Sequence, residues 1–348
     1  MYDATNNLVA KAVTVQRDDE FDYVILNLAT CEIEEFAFNN DEFLNVNNVI
    51  LYYVGSLKYY IKRCNQYFSL YNNENINFET IKSESENITT EFNSLKQSTK
   101  KFTYDGNPLP MDNKTGYNGF YEWSKVYSFN RVKDYINSDF GYLDGINWTG
   151  ISGYNLSFQS QTTFNNYFGT NNSCGPTALT NMFIYFDFLG IKNSNGLSNS
   201  LYNNDIYSTF DKFRSLSNHS NSEGTSTSKY TEALKNYTSM QNYDYEINSK
   251  ITKYDEFKNC INSSMPILTS IQLESWGGHA VLTVGYEEFS KTYEENHNFM
   301  WWNWTTTETS YSQYLRVIDG WSTSNSSRFI DFSGYWDSIT GWGFLIHE

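Results

Sequence analysis

The sequence predicts a mixed α+β protein, on three observations. The first is an apolar helix that begins at Cys174, within NNSCGPTALTNMFIYFDFLG. The second is a strand that follows two glycines and begins at His279, within GGHAVLTVGY. The third is a short strand that ends at Asp319, within YLRVIDGW. The chain of 348 residues is long enough to bury a substantial core, and an aromatic content of 18% argues against disorder.

The helix after Cys174 is predicted from the spacing of its apolar residues, which is typical of a helix with one buried face. These residues are Ala178, Leu179, Met182, Phe183, Phe186 and Leu189. Gly190 ends the helix, and Pro176 is tolerated only in a first turn, so Cys174 lies at or beside the first helical position. Unpaired amide N–H groups and the helix dipole stabilise a thiolate at a helix start. We therefore expect the pKa of the Cys174 thiol to be lowered to about 3.5–7.5. The alternative is a buried structural cysteine capped by Ser173.

His279 is predicted at the start of a core strand. The two glycines before it allow close approach of the backbone, and the apolar run after it predicts a buried strand. A histidine held there can act as a base about 3 Å from a thiol. The alternative is a core histidine with satisfied hydrogen bonds. The other histidines, His219, His297 and His347, have predicted loop or terminal positions.

Asp319 ends the third element, directly before Gly320 and Trp321. A carboxylate there can hold an imidazole in one tautomer and stabilise its cation, although aspartate before glycine is also a common turn residue. The catalytic interpretation is favoured because the cysteine helix, the Gly-Gly-His strand and the Asp-Gly-Trp strand rarely occur together in this order by chance.

These three motifs resemble those of the papain-like cysteine peptidases, in the branch that includes streptopain and the double-glycine leader peptidases. The resemblance covers about residues 150–348. It implies an α+β papain-like fold, in which a helix carrying the cysteine packs on an antiparallel sheet carrying the histidine and the aspartate. It also implies Cys174 as nucleophile, His279 as general base and then acid, Asp319 as the orienting carboxylate, and no metal or cofactor. Trp321 resembles the tryptophan that shields the contact between Asp319 and His279.

One position departs from the family pattern. The family usually places a glutamine six residues before the nucleophile to stabilise the oxyanion, whereas position 168 is phenylalanine here. The nearby amides are Gln159, Gln161, Asn165, Asn166, Asn171 and Asn172. We expect the backbone N–H of Cys174 to be one oxyanion donor, because it lies at the helix start. Asn166 is our candidate for the second donor.

The N-terminal region predicts a separate small α+β unit, with two strands around a turn in residues 21–38. It resembles the pro-segment of streptopain-type zymogens. On this interpretation residues 1–72 form a pro-domain-like module, 73–115 a polar connector with a processing region, and 116–348 the catalytic domain. We expect the module to inhibit the cleft through an interface of modest size, which cutting the connector would release. The alternative is an accessory domain beside an open cleft.

The cysteines argue against a disulfide scaffold or a structural zinc site, because they are few and none forms a C-x-x-C pair. Cys31 and Cys64 are either bridged or, as we favour, two buried free thiols. Cys260 is expected in the core.

The net charge of −16 disfavours nucleic acids and anionic membranes as partners. No apolar run reaches about 18 residues, so no membrane insertion is expected. The N-terminus lacks the apolar segment of a signal peptide, so the protein is either cytoplasmic or has lost a signal before this numbering begins; we expect secretion or a cell-surface location.

The expected activity is therefore that of a cysteine-type endopeptidase, which hydrolyses protein or peptide substrates through a thioester on Cys174. Two alternatives remain. A transglutaminase-like acyl transferase uses the same three residue types and differs in the acceptor. A catalytically inactive binding or inhibitor protein could keep the fold, and the missing glutamine is the observation that favours it.

Overall fold

The computed structural model describes fifteen segments of the chain, and every structural statement below concerns these residues. They are 1–17, 20–28, 33–37, 49–55, 57–70, 73–86, 89–90, 111–118, 121–129, 149–150, 158–273, 277–299, 302–321, 328–332 and 338–347.

The described strands are β1 (Ala10–Arg17), β2 (Glu20–Asn27), β3 (Ile33–Ala37), β4 (Ile50–Tyr53), β5 (Tyr59–Arg63), β6 (Gln66–Ser69), β7 (Asn75–Ile76), β8 (Met111–Asn118), β9 (Tyr121–Phe129), β10 (Thr149–Gly150), β11 (Asp244–Ile247), β12 (Ile267–Leu273), β13 (Gly277–Phe299), β14 (Trp302–Ile318), β15 (Arg328–Asp331) and β16 (Ser338–His347). The described α-helices are α1 (Phe78–Glu84), α2 (Gln161–Phe168), α3 (Cys174–Leu189), α4 (Ile206–Leu216), α5 (Tyr230–Met240) and α6 (Tyr254–Asn262).

Most of the described strands belong to one antiparallel sheet, in the order β1-β2-β3-β15-β14-β13-β12-β16-β11. The short β10 and the β8–β9 pair also join β13. The two strands predicted from the histidine and aspartate motifs are neighbours, with Leu282 of β13 opposite Ile318 of β14. His279 therefore lies near the start of β13, and Asp319 directly follows β14. This mixed α+β architecture is compatible with a papain-like fold.

Helix α3 begins at Cys174 and ends at a left-handed Gly190, as the sequence predicts. The prediction of a single buried face was wrong, because polar positions such as Thr177, Thr180 and Asn181 are buried as well. The large sheet packs against α3, and the helices α4 and α5 also pack against α3. Leu189, the last helical residue, was expected in the core and is 37% exposed.

The N-terminal strands extend the large sheet, because β3 pairs directly with β15. Phe36 and Phe329 face each other in this pairing, and their rings stack with centroids 4.4 Å apart. The hydroxyl of Tyr314 on β14 donates to the main-chain oxygen of Ile33, at 2.9 Å. The N-terminal strands and the strands that carry the histidine and aspartate motifs thus form one continuous sheet.

A second, four-stranded antiparallel sheet contains β4, β5, β6 and β7. Ile81 of α1 packs in a small core with Tyr52, Val54 and Tyr60 of this sheet region. Residues 75–84, which polar composition assigned to the connector, therefore fold with the N-terminal unit. Residues 91–110 of the expected connector lie outside the described residues.

The cysteines outside the candidate site have different environments. Cys260 is buried, as predicted. Cys64 is a free thiol on the exposed turn between β5 and β6, which contradicts the expectation of a buried thiol. Cys64 is a turn residue with a φ of +48°, and it lies outside the core that the flanking strands help to build. Cys31 lies outside the described residues.

In the part of the chain that the structure describes, no helix is long and apolar enough to cross a membrane.

Candidate active site

Cys174 lies at the meeting point of α3 and β13. It is the first residue of α3, and its thiol is partly buried. The backbone N–H groups of Ala280, Gly175 and Cys174 itself lie near the thiol and favour its ionised form. Because Ala280 directly follows His279, the contact to Ala280 brings the helix start to the segment that carries the histidine.

Burial raises the pKa of the Cys174 thiol above its ordinary value, and the three amide N–H groups act in the opposite direction. The expected lowered pKa was therefore wrong for this structure. The amides at the helix start do face the sulfur, but loss of solvent around a thiolate outweighs them.

His279 is 3% exposed and donates a hydrogen bond from Nε2 to the main-chain oxygen of Asp319, at 2.8 Å. A neutral imidazole that donates from Nε2 carries its lone pair on Nδ1, so this hydrogen bond assigns the tautomer. Burial lowers the pKa of His279 to about 4, and the charges of Lys58 and Arg328 add to the lowering. The carbonyl and the charge of Asp319 act to raise it. The imidazole is thus neutral at neutral pH.

Trp321 covers the histidine. The two rings stack with centroids 4.8 Å apart and planes 11° from parallel. The backbone N–H of Trp321 donates to Oδ1 of Asp319 at 2.9 Å, so the tryptophan is held by the residue that accepts from His279. The indole therefore contributes to the burial of the imidazole.

The turn after β14 fixes Asp319 from the other side. Gly320 has a φ of +73°, a left-handed conformation that favours glycine. Its main-chain oxygen accepts a hydrogen bond from the N–H of Gln161, at 2.6 Å, at the start of α2. A Cβ on Gly320 would lie 3.4 Å from Cγ2 of Thr177 on α3. The aspartate turn is thus held against both helices that flank the thiol.

The carboxylate of Asp319 contacts a buried arginine that sequence reasoning missed. Nε of Arg328, on β15, lies 2.5 Å from Oδ2 of Asp319. Nη1 of the same guanidinium lies 3.3 Å from Oε1 of Glu35, on β3 of the N-terminal unit. Neither Glu35 nor Arg328 stands in a recognisable motif, and the only sequence signal is that each is a charged residue in a short strand that also carries large apolar residues.

Asn166, our candidate oxyanion donor, lies on α2 with an exposed side chain. Its neighbour Asn165 connects α2 to the segment before the nucleophile, because its Oδ1 accepts hydrogen bonds from Ser173 and, at 3.1 Å, from Thr170. Ser173 occupies the N-cap position of α3 without capping it through its side chain. The capping alternative for Ser173 was therefore wrong.

The other three histidines are not sequence neighbours of Cys174, His279 or Asp319. His297 was expected in a loop and instead lies within β13, opposite Trp304, because β13 continues far beyond the predicted strand. His347 is exposed at the end of β16, and His219 is partly buried in the loop after α4, where Nδ1 lies 3.2 Å from the Thr225 hydroxyl.

Gly175 is required by a close approach at the start of α3. A Cβ at this position would lie 2.9 Å from Cε1 of Tyr230 and 3.0 Å from Cβ of Thr225. Burial, together with the charge of Cys174, raises the pKa of Tyr230 far above its ordinary value. The first turn of α3 is therefore packed against the loop before α5 and against α5 itself.

Residues 154–318 match a family model described as Peptidase_C39 like family. The match covers slightly less than half of the chain, includes Cys174 and His279, and ends one residue before Asp319. It supports a cysteine peptidase-like family, which implies hydrolase activity and a protein substrate in general. No curated protein matches the chain.

Proposed function

We propose that this chain is a cysteine-type endopeptidase of papain-like fold with Cys174 as its nucleophile. The observation that carries the proposal is the position of the Ala280 backbone N–H beside the Cys174 thiol, because it joins the helix-start cysteine to the strand of His279. The family match over this segment supports the same class of activity. The streptopain and leader-peptidase branch is the finer part of this proposal and rests on the resemblance of the motifs.

The tautomer of His279 defines its proposed role. With Nε2–H donated to Asp319, Nδ1 is the atom that accepts the thiol proton. Cys174 Sγ attacks the carbonyl carbon of the scissile peptide while its proton passes to Nδ1. The resulting oxyanion accepts from the backbone N–H of Cys174, with Asn166 as the proposed second donor.

The tetrahedral intermediate then collapses with cleavage of the C–N bond. His279 gives its proton to the leaving amine, and a thioester remains on Cys174. Water attacks the thioester carbon and loses a proton to His279. Cleavage of the C–S bond releases the carboxylic acid, and the proton returns to the thiol.

The charge state of the resting site follows from burial. The thiol pKa is raised and the imidazole pKa is lowered, so both groups are neutral at neutral pH. Proton transfer therefore accompanies attack rather than preceding it as a stable thiolate–imidazolium pair. Stacking of Trp321 on His279 shields this transfer from water.

The acyl-transferase alternative uses the same groups and differs only in the acceptor of the thioester, which is an amine rather than water. The inactive-binder alternative predicts a thiol that reacts slowly with electrophiles designed for cysteine peptidases. A peptidyl vinyl sulfone tests the difference. We expect rapid labelling of Cys174 in the full chain and strongly reduced labelling in His279→Ala; equal, slow labelling in both would favour an inert scaffold.

The N-terminal unit has two proposed roles. Autoinhibition, as in a zymogen, is supported by Leu57, which is buried among catalytic-domain residues, and by Lys58, whose charge acts on His279. An accessory role is supported by the shared sheet. The contacts of Asp319 favour the accessory role, and the two roles predict opposite effects of loosening the unit.

Secretion or a cell-surface location is a further proposal, and it rests on the resemblance of the motifs.

A further inference from the structure

We propose that Glu35 and Arg328 position Asp319 against His279, so that the N-terminal strands form part of the catalytic apparatus. The inference rests on the proposed function for the role of His279 as the base. Neither Glu35 nor Arg328 touches the reacting atoms. Both act through Asp319, and we therefore call them positioning residues.

The geometric basis is one buried guanidinium between two buried carboxylates. The side chains of Arg328 and Glu35 have no solvent exposure, and that of Asp319 has 3%. Arg328 uses Nε toward Asp319 and Nη1 toward Glu35, at 2.5 and 3.3 Å. A planar guanidinium has donors in fixed directions, so its orientation toward one carboxylate constrains its contact with the other.

The N-terminal unit fixes Glu35 through three further donors. The backbone N–H of Leu57 and the hydroxyl of Tyr59 donate to Oε2, at 2.6 and 2.8 Å, and the hydroxyl of Tyr23 donates to Oε1. These donors come from β2, from β5 and from the turn before β5. The position of Glu35 is therefore set by residues of both the large sheet and the four-stranded sheet, and Arg328 transmits it to Asp319.

The electrostatic consequence follows from the charges that act on His279, which are those of Asp319, Arg328 and Lys58. Asp319 favours the imidazolium, whereas Arg328 and Lys58 oppose it. Glu35 balances part of the arginine charge. Without Glu35, the buried charge of Arg328 would pair with the Asp319 carboxylate alone. The arginine would then offset more of the Asp319 charge that favours the imidazolium, and it would oppose protonation of His279 more strongly.

A purely structural role explains the site less well. A buried ion pair adds little net stability over apolar residues of similar volume, because desolvation offsets the attraction between the charges. The arginine also contacts Asp319, whose main-chain oxygen accepts from His279. Its ion pair with the residue that holds His279 favours a positioning role.

The test measures the rate of Cys174 alkylation by iodoacetamide against pH, by peptide mass analysis of the full chain. We compare wild type with Glu35→Gln and with the matched control Glu34→Gln. Glu34 is the buried carboxylate directly before Glu35 on the same strand, and it accepts a hydrogen bond from Asn27 at 2.8 Å.

For Glu35→Gln we expect alkylation of Cys174 to be about tenfold slower near neutral pH and to converge with wild type above about pH 10, where hydroxide forms the thiolate directly. Glu34→Gln should stay within about twofold of wild type at every pH. A wild-type profile for Glu35→Gln would overturn the proposal. So would equal slowing in both variants, or slowing of Glu35→Gln by the same factor at every pH, since that indicates altered access.

If Glu35→Gln fails to fold, Tyr59→Phe and Tyr314→Phe form a second pair. Each removes one hydroxyl without changing charge, but only Tyr59 bonds to Glu35. We expect alkylation about threefold slower in Tyr59→Phe and unchanged in Tyr314→Phe; a wild-type rate in folded Tyr59→Phe would contradict the proposal. Alkylation requires no turnover, so a chain that cleaves no peptide but shows these profiles would refute the proposed function and leave the positioning role standing.

Discussion

The ring of Trp321 stacks on the ring of His279, with centroids 4.8 Å apart and planes 11° from parallel. Burial of this imidazole is the largest cause of its low pKa, about 4. The tryptophan is therefore expected to control both the orientation of the base and its access to water.

Replacing Trp321 should change the pH dependence of peptide cleavage. In Trp321→Ala, water reaches His279, and its pKa moves up from about 4 toward the ordinary 6.5. The acid limb of kcat/KM should move to higher pH by about one unit, with a lower maximal rate. Trp321→Phe keeps an aromatic ring over the imidazole and should retain most of the wild-type profile. An unshifted acid limb in a folded Trp321→Ala would contradict the shielding role.

Substitutions of His279 and Asp319 should lower turnover unequally. His279→Ala removes the base and should reduce kcat by about 10²–10⁴-fold. Asp319→Ala keeps the main-chain oxygen that accepts from Nε2, so we expect a smaller loss, about ten- to a hundredfold. His297→Ala, a change farther along the same strand, is the matched control and should change kcat by less than about twofold. Equal losses for His279→Ala and His297→Ala would show that the base is wrongly assigned.

Stability should depend on pH through His279. Its pKa is about 4 in the folded chain against 6.5 ordinarily, so the unfolded state binds more protons between these values. The contribution is complete above about pH 6.5 and is lost as the pH falls toward about 4, by about 3 kcal/mol in total.

Urea unfolding at about pH 7 and pH 4.5 measures this contribution in wild type and in His279→Gln. The free energy of unfolding should fall with acidification by about 2–3 kcal/mol more in wild type than in the variant. Comparison with the variant is necessary because Glu287, with a pKa raised to about 7, contributes with the opposite sign in both proteins. The same pH dependence in both would show that the imidazole is not held neutral.

Cutting the connector distinguishes the two roles of the N-terminal unit. A protease site introduced within residues 91–110 allows the folded full chain to be cut. We expect the two pieces to stay together on gel filtration and to keep the uncut cleavage rate, because β3 pairs with β15 and Glu35 contacts Arg328. An uncut chain carrying the same insertion is the control. Release of the N-terminal piece with faster peptide cleavage would instead establish autoinhibition.

Local patterns in the sequence were sufficient to predict the elements of the site. The helical spacing and the Gly190 stop predicted α3, and the apolar run after His279 predicted the start of β13. These features depend on residues close together in the chain. The strands on either side of the short turn in residues 21–38 were predicted in the same way.

The Glu35–Arg328 contact could not be predicted, because the two residues are separated by 293 positions and meet only when β3 pairs with β15. The pKa of Cys174 was predicted in the wrong direction for a related reason. The helix start is a local feature that stabilises a thiolate, whereas burial of the sulfur depends on the packing of distant segments around it.

The most direct test of the peptidase assignment is terminal mass analysis of a denatured protein mixture incubated with the full chain, with Cys174→Ala as control and a labelled primary amine present. We expect new N-termini to appear with the wild-type chain and to be absent with Cys174→Ala. Ammonia release with incorporation of the amine, and no new N-termini, would contradict the peptidase assignment and favour the acyl transferase. Identical products from both chains would show that Cys174 is not the nucleophile.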